Sequence, residues 1–234
     1  MPRFSGIAPE AMWLLAENRF RDSKEFYEEH KPAIQAGILE PLRALQEDLT
    51  PAMLLIDPQF FIHPHANGCI SRVRRDNRYT RDKSMYRENM WLAFMRDKKT
   101  WECTPGFYWD FSMQRSLWGL GFYRVSPSFL QFLRRRIDAD PAPYEAAMER
   151  ALHAGFSSAG ERYARPKKQV SALLDGLYNC KVIDLEKQEQ DPAFFAGPGL
   201  VEILEKGFEE LAPLYQLLVR SAEAFVAHPD RPTD

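Results

Sequence analysis

Hydrophobic positions recur at helical spacing near both ends of the chain and at strand spacing in its middle. Ile34, Ile38 and Leu42 lie on one helical face in the N-terminal part, and a second apolar stripe runs from about residue 200 to 225. Four intervening runs are rich in aromatic and β-branched residues: QFFIHP, NMWLAFM, GFYWDFSM and SLWGLGFYRV. Helices on either side of consecutive strands predict an α+β fold, with a central antiparallel sheet flanked by N-terminal and C-terminal helices.

Local signals refine this pattern. Ser126 followed by Pro127 predicts a capped helix start, and Asp22 with Glu25 three residues later predicts another. We expect a single domain over residues 1–228 and a disordered tail at 229–234. The proline-rich segment 138–144 is the best candidate for an internal boundary.

The charge is distributed unevenly. The 234 residues carry a formal net charge of −2, but residues 72–87 contain seven Lys or Arg against two Asp, so this segment carries +5 and the remainder −7. A protein that mainly coats nucleic acid or membranes would be basic overall, which this one is not. Three widely spaced cysteines, and no apolar run long enough for a signal peptide or a membrane span, favour a cytoplasmic location.

The runs GFYWDFSM and SLWGLGFYRV predict a hairpin that turns at Gln114 and Arg115. In that register Asp110 lies opposite Gly119, and Tyr108 lies opposite Gly121. Glycine inside a strand often marks the close approach of a ligand or of another chain segment, and it also accommodates a helix or a bulge. Asp110 and Tyr108 are therefore weak candidates for acid–base catalysis.

The basic loop, which we define as residues 72–87, is the strongest candidate for a functional site. Arginine's planar fork suits bidentate binding of phosphate or carboxylate, and lysine adds a point charge. We expect Tyr79 and Tyr86 to anchor the loop by burying their rings. The candidate ligand-binding residues are Arg72, Arg75, Asp76, Arg78, Thr80, Asp82, Lys83, Tyr86 and Arg87.

The same segment, RVRRDNRYTRDKSMYR, resembles the signature of the family called domain of unknown function 2461. That signature runs Arg, two residues, Arg-Asp, one residue, Arg, an aromatic, Ser or Thr, one residue, Asp-Lys-Ser, one residue, Tyr, then Lys or Arg. Met85 stands where the family pattern has proline. The resemblance extends to ENRFRDSKEFYEEHK, to GFYWDF and GLGFYR, and to FLRRRI. It implies a single α+β domain and supplies no activity.

Three functions remain open for the basic loop. It binds a small anionic ligand, with or without a reaction; or it forms an internal ion-pair network or a homodimer contact; or it binds RNA or single-stranded nucleic acid. The overall charge makes nucleic acid the least favoured. No cofactor motif is present, and His63, His65 and Cys69 match no metal-binding spacing, so we expect neither a cofactor nor a metal site.

Overall fold

The structure, a computed structural model, describes residues 3–63, 68–78, 80–97 and 103–227. The α-helices within these residues are α1 (Pro9–Arg21), α2 (Lys24–Ile34), α3 (Glu40–Ile56), α4 (Pro127–Ala139), α5 (Ala142–His153), α6 (Ala172–Tyr178) and α7 (Leu200–Val226). The strands are β1 (Met90–Met95), β2 (Pro105–Phe111), β3 (Ser116–Phe122), β4 (Ser157–Ser158) and β5 (Asp184–Glu189). The predicted tail and His65 lie outside the described residues.

The predicted α+β class is confirmed. The five strands form one antiparallel sheet in the order β1-β2-β3-β5-β4, with helices before and after it in the chain. The first three strands coincide with the predicted aromatic runs. The run QFFIHP is an incorrect prediction, because no strand forms over residues 59–63. Of its apolar side chains only Phe60 is buried, whereas Phe61 and Ile62 are exposed, and composition alone does not distinguish such a loop from a short strand.

The helix boundaries near the N-terminus differ from the prediction at Asp22. This residue ends α1 in the left-handed conformation, with φ of 45°, and its N–H donates to the Asn18 carbonyl. Ser23 is the N-cap of α2, and its hydroxyl accepts from the Phe26 N–H at 3.3 Å. Asp22 is therefore a helix end and not a helix start, since Asp tolerates the left-handed region better than most side chains.

The hairpin turns one residue earlier than predicted. The Ser112 N–H donates to the Arg115 carbonyl at 2.9 Å, which places Met113 and Gln114 in the turn. When this register is continued along both strands, Tyr108 lies opposite Gly119. Gly121 then lies two residues further along β3 and is no longer opposite Tyr108. The pairing moves by two positions, so every side chain keeps its predicted face.

The chain divides into two compact units. The first comprises residues 1–94, 109–117 and 188–205, and the second comprises residues 95–108, 118–187 and 206–234. Segment 138–144 lies within the second unit. The core of the first unit includes Trp109, whose ring stacks on Phe111 at 4.2 Å between centroids. The core of the second includes Phe107, which packs on Phe208 at 5.2 Å and on Tyr215 at 5.0 Å.

The cysteines are structural. Cys69, Cys103 and Cys180 are buried and free. Burial raises the pKa of the Cys69 thiol to about 12 and that of Cys180 to about 11, so both remain protonated and unreactive at neutral pH. Among the described residues, no helix combines the length and the apolar character needed to cross a membrane.

Candidate functional site

The basic loop is a hairpin-like excursion between antiparallel backbone segments of the first unit. The Ser71 N–H donates to the Trp91 carbonyl and the Arg87 N–H donates to the Val73 carbonyl, both at 2.9 Å. Val73 lies two positions after Ser71, whereas Trp91 lies four positions after Arg87. The returning segment therefore bulges, and a bulge commonly redirects side chains next to a site.

Tyr86 anchors the loop, as predicted. Its ring is only 2% exposed and stacks on Tyr27 of α2, with centroids 4.8 Å apart. Desolvation raises the pKa of the Tyr86 hydroxyl above its ordinary value. Tyr79, the second predicted anchor, lies outside the described residues. The Tyr86 side chain is thus part of the loop's support.

The end of α1 holds the returning side of the loop. The Asp22 carboxylate accepts the Met85 N–H at 2.7 Å and the Tyr86 N–H at 3.3 Å. Arg19, one turn earlier, donates to Asp82 at 3.0 Å. The sequence analysis did not foresee these contacts, because Asp22 looked like a helix cap and Arg19 lies 63 residues from its partner.

Asp82 is the centre of an ion-pair and hydrogen-bond network. One of its oxygens accepts from both Arg75 and Arg19, and the other accepts the Ser84 N–H at 3.0 Å and the Ser84 hydroxyl at 2.7 Å. The hydrogen bonds from Ser84, followed by the one from Arg75, hold the pKa of the Asp82 carboxyl far below its usual range. Asp82 is therefore ionised at all physiological pH values and serves as an acceptor.

A second ion pair and several hydrogen bonds to backbone carbonyls order the tip of the loop. Arg78 grips Asp76 with two parallel hydrogen bonds of 2.9 and 2.8 Å, and this contact lowers the pKa of Asp76 to about 2. The Lys83 ammonium donates to the Asn77 carbonyl at 3.1 Å. The Thr80 hydroxyl donates to the Asp82 carbonyl at 2.7 Å. These four predicted residues are thus used within the loop.

Three arginines of the loop form no salt bridge in the described part of the chain: Arg72, Arg74 and Arg81. All three side chains are exposed. Arg72 and Arg74 flank the buried Val73 and therefore project from the same side of an extended segment, roughly 7 Å apart along the backbone. Of these three, only Arg72 was among the predicted ligand residues, although all three are visible in the sequence as basic positions.

The two weak catalytic candidates have separate partners. In the second unit, the Tyr108 hydroxyl contacts Asp184 at 2.8 Å and Glu186 at 3.3 Å. Burial and then the Asp184 charge raise the pKa of Tyr108 far above its ordinary value, so its hydroxyl keeps its proton. In the first unit, the Asn89 amide donates to Asp110 at 2.6 Å.

Asp184 and Glu186 are acidic residues that the sequence analysis did not select. They occupy alternate positions of β5, so their side chains share one face of the strand. Burial raises the pKa of Asp184 to about 6. The signal available in the sequence was the Asp-x-Glu spacing within the segment KVIDLEK.

The glycines of β3 make room for β5. A Cβ atom on Gly119 would clash with the Leu185 carbonyl, and one on Gly121 would lie 3.0 Å from an Asp184 carboxylate oxygen. Of the explanations considered for these glycines, the close approach of another chain segment is the one observed. Among the described residues, no group of three or more His, Cys, Asp or Glu side chains is arranged to hold a metal ion.

Two comparisons with known proteins bear on identity. A search of curated proteins gave no match. A family model described as a conserved hypothetical protein, DUF2461, matches residues 10–217. The match covers most of the chain, including the whole basic loop and its anchors on α1 and α2. The chain therefore belongs to the DUF2461 family, the family that the motif in the basic loop resembles.

Proposed function

We propose that the basic loop binds a small phosphate- or carboxylate-bearing anion through Arg72 and Arg74, with Arg81 as a third contact. The proposal rests on a difference in contacts: some cations of the loop are bound to other groups of the loop, and others are not. Arg75, Arg78 and Lys83 contact groups within the loop itself. Arg72 and Arg74 are exposed on one side and form no salt bridge in the described ranges, and the charge of Arg72 acts on Asp76 only as the smallest of the contributions that lower its pKa.

The electrostatics of the loop favour an anion at that side. Residues 72–87 carry +5 after their own two aspartates are counted, and the charges of Arg19 and Asp22, which both contact the loop from the end of α1, offset one another. Clustered cations repel one another, and a bound anion relieves that repulsion. Two guanidinium groups that project from the same side are able to contact one phosphate or carboxylate together.

The loop is also ordered enough to hold such a site in place. Both sides of the loop around Arg72 and Arg74 are fixed in place. The contacts that fix them are the backbone hydrogen bonds to Asp22, the network at Asp82 and the packing of the buried Tyr86 ring. A site whose backbone is already fixed loses less conformational entropy on binding. The proposal concerns binding.

The burial of Tyr86 favours a small anion over single-stranded nucleic acid. Proteins that bind single strands combine cations with exposed aromatic rings on which bases stack. Tyr86 is covered by Tyr27 and is not accessible to a base.

Thermal unfolding in the presence of single anions tests the proposal. The probes are inorganic phosphate, a nucleoside monophosphate, a sugar phosphate, a dicarboxylate and a short single-stranded RNA. A ligand at a hundred times its dissociation constant adds about 2.7 kcal/mol to the free energy of unfolding. For a chain of this size that is a rise of roughly 5 to 11 °C in Tm.

The variants identify the site. We expect the rise to disappear in the double variant Arg72→Ala, Arg74→Ala and to persist in Arg43→Ala, which removes an exposed arginine from α3. No rise with any anion would overturn the proposal and leave the internal network or a homodimer contact as the role of the loop. A rise with RNA alone would favour the nucleic-acid hypothesis.

A further inference from the structure

One side of α1 exposes two large aromatic side chains. Trp13 is 65% exposed and Phe20 is 89% exposed. Phe20 lies seven positions after Trp13, which is about two helical turns, so both rings project from the same side of the helix. Glu10, Glu17 and Arg21 are exposed beside them. We name these five residues the α1 stripe. Neighbouring exposed aromatic residues, unlike a single one, indicate an interaction surface.

The first unit uses the other sides of α1. Met12 and Leu15 are buried, and Asp22 and Arg19 contact the basic loop. At about 100° per residue, Asp22 and Arg19 lie about 180° and about 120° around the helix from Trp13. A partner can therefore cover the α1 stripe without disturbing the contacts that hold the basic loop.

The charges of the α1 stripe have opposite signs at its two ends. Glu10 lies near the N-terminal end of the helix, and Arg21 is its last residue. Such a stripe is complementary to itself when two copies pack antiparallel, because the acidic end of one copy then meets the basic end of the other. A parallel arrangement would instead place like charges together. The charge pattern therefore favours a second copy of this chain as the partner.

An antiparallel pair also matches the aromatic rings. With the two-fold axis midway between Trp13 and Phe20, Trp13 of each copy faces Phe20 of the other, which gives two equivalent aromatic contacts. Glu10 of one copy then lies about 3 Å along the helix axis from Arg21 of the other. Both lie about 60° to 80° round the helix from Trp13 in the same direction, and a two-fold axis across the helices keeps them on one edge of the interface.

Glu17 enters this arrangement already paired. Its carboxylate accepts from Arg21, one turn further along the helix, at 2.8 Å. Because the pair is exposed, it stays at the edge of the interface, where no charge is buried without a partner. The Arg21 guanidinium also lies 5.0 Å from the Phe26 ring centroid, and this contact holds it next to the α1 stripe.

Two other occupants fit the α1 stripe less well. Helices that lie on membranes carry mostly Lys and Arg beside their apolar side chains, whereas Glu10 and Glu17 lie beside Trp13. The C-terminal residues 228–234, HPDRPTD, contain no large apolar side chain that would cover the rings. A second copy supplies both the aromatic rings and the opposite charges.

We propose that the α1 stripe is the interface of a two-fold homodimer in which the two α1 helices pack antiparallel. This role is separate from the anion site proposed for the basic loop. The four aromatic side chains of the pair supply roughly 600–1,000 Å² of contact surface. Stable interfaces bury about 1,200–2,000 Å². The dimer is therefore weak, and its population depends on protein concentration.

Sedimentation velocity of the full chain, over a series from micromolar to submillimolar concentration, tests the proposal. We expect the weight-average sedimentation coefficient of the wild type to rise from the monomer value towards the dimer value. Trp13→Ser and Phe20→Ser should each weaken association about tenfold or more, because interfaces depend on central aromatic residues. The matched control is Leu55→Ser, which removes an apolar side chain of α3 that is as exposed as Phe20 and leaves association unchanged.

Charge reversal tests the antiparallel geometry. Glu10→Arg and Arg21→Glu should each weaken association, since each places like charges together across the interface. An equimolar mixture of the two variants should associate about as well as the wild type, because both pairs across the interface are again of opposite charge. Circular dichroism verifies that every variant is folded.

The outcomes are distinguishable. A wild type that stays monomeric at every concentration would overturn the proposal, as would association that Phe20→Ser leaves unchanged. A mixture that associates no better than the separate charge variants would also overturn it. Binding of the monomer to phosphatidylcholine vesicles, lost in Phe20→Ser, would instead assign the α1 stripe to a membrane surface. None of these results depends on whether the basic loop binds an anion.

Discussion

The carboxylate of Asp22, at the end of the first helix, accepts the backbone N–H of Met85 at 2.7 Å. This hydrogen bond connects residues 63 positions apart and fixes the returning side of the basic loop to α1. The same carboxylate accepts the Tyr86 N–H at 3.3 Å. Asp22 thus has two roles. Its carboxylate accepts hydrogen bonds from the basic loop, and its backbone adopts the φ of 45° with which α1 ends.

Asp22→Ala should destabilise the protein by about 2–4 kcal/mol. Two partly buried N–H groups lose their acceptor, and alanine is strained in the left-handed region. We expect Tm to fall by roughly 5 to 15 °C for a chain of this size. Asp22→Asn keeps one acceptor oxygen and tolerates the same φ, so its Tm should remain close to that of the wild type. Equal Tm values for Asp22→Ala and Asp22→Asn would contradict this role.

Gly119→Ala should be severely destabilising, because the added Cβ meets the backbone carbonyl of Leu185 in the neighbouring strand. Overpacking against backbone has no flexible side chain to relieve it, and we expect a loss of about 2–4 kcal/mol in the free energy of unfolding. Gly199→Ala is the matched control, since nothing lies within 4 Å of its added Cβ. Urea denaturation measures both variants. A neutral Gly119→Ala would show that the two strands are not in close contact.

Asp184 should make stability depend on pH in the opposite sense to the ion-paired carboxylates. Its folded-state pKa, about 6, exceeds the ordinary value of 3.8, because burial disfavours the charged form. The folded state therefore binds the proton more tightly, so the stabilising contribution is present at low pH. It is lost as the pH rises through the range from about 4 to about 6.

Comparison with Asp184→Asn isolates this contribution from that of the other carboxylates. The groups that face Asp184 are Tyr108 of β2 and Glu186 on its own strand, and neither changes in the variant. We expect the free energy of unfolding of the wild type, relative to Asp184→Asn, to fall by about 1–3 kcal/mol between pH 4 and pH 7, after allowance for partial solvent exposure. A constant difference over that range, or a rise, would contradict the assignment.

The fold was largely predictable because its signals are local. The aromatic runs that form β1, β2 and β3 and the Ser126 cap of α4 depend on residues close in sequence. The hairpin turn was misplaced by one residue because Gln114 and Arg115 lack the turn chemistry that fixes a register. The face on which each side chain lies was still predicted correctly. Side chains alternate between the two faces of a strand, so a shift of two positions in the pairing leaves each on the same face.

The sequence identified which segment forms the candidate site, but not which of its side chains pair with one another. Composition identified the basic loop, and the aspartates within it were visible as possible partners. The sequence did not indicate that Arg78 pairs with Asp76, whereas Arg72 and Arg74 have no such partner in the described part of the loop. It also gave no sign of Arg19 or Asp22, because contacts between distant segments depend on how the helices pack. Asp184 and Glu186 were missed for the same reason, since their partner Tyr108 lies on another strand.

The central claim is that Arg72 and Arg74 bind the anion whereas Arg78 does not. Calorimetric titration with the anion that raises Tm most tests it most directly, when three single variants are measured side by side. Arg72→Ala and Arg74→Ala should each weaken binding at least tenfold, because a charge-assisted contact to the anion is lost. Arg78→Ala should bind within about threefold of the wild type, because Arg78 is already paired with Asp76. If Arg78→Ala abolishes binding while Arg72→Ala and Arg74→Ala retain it, the proposed site is wrong.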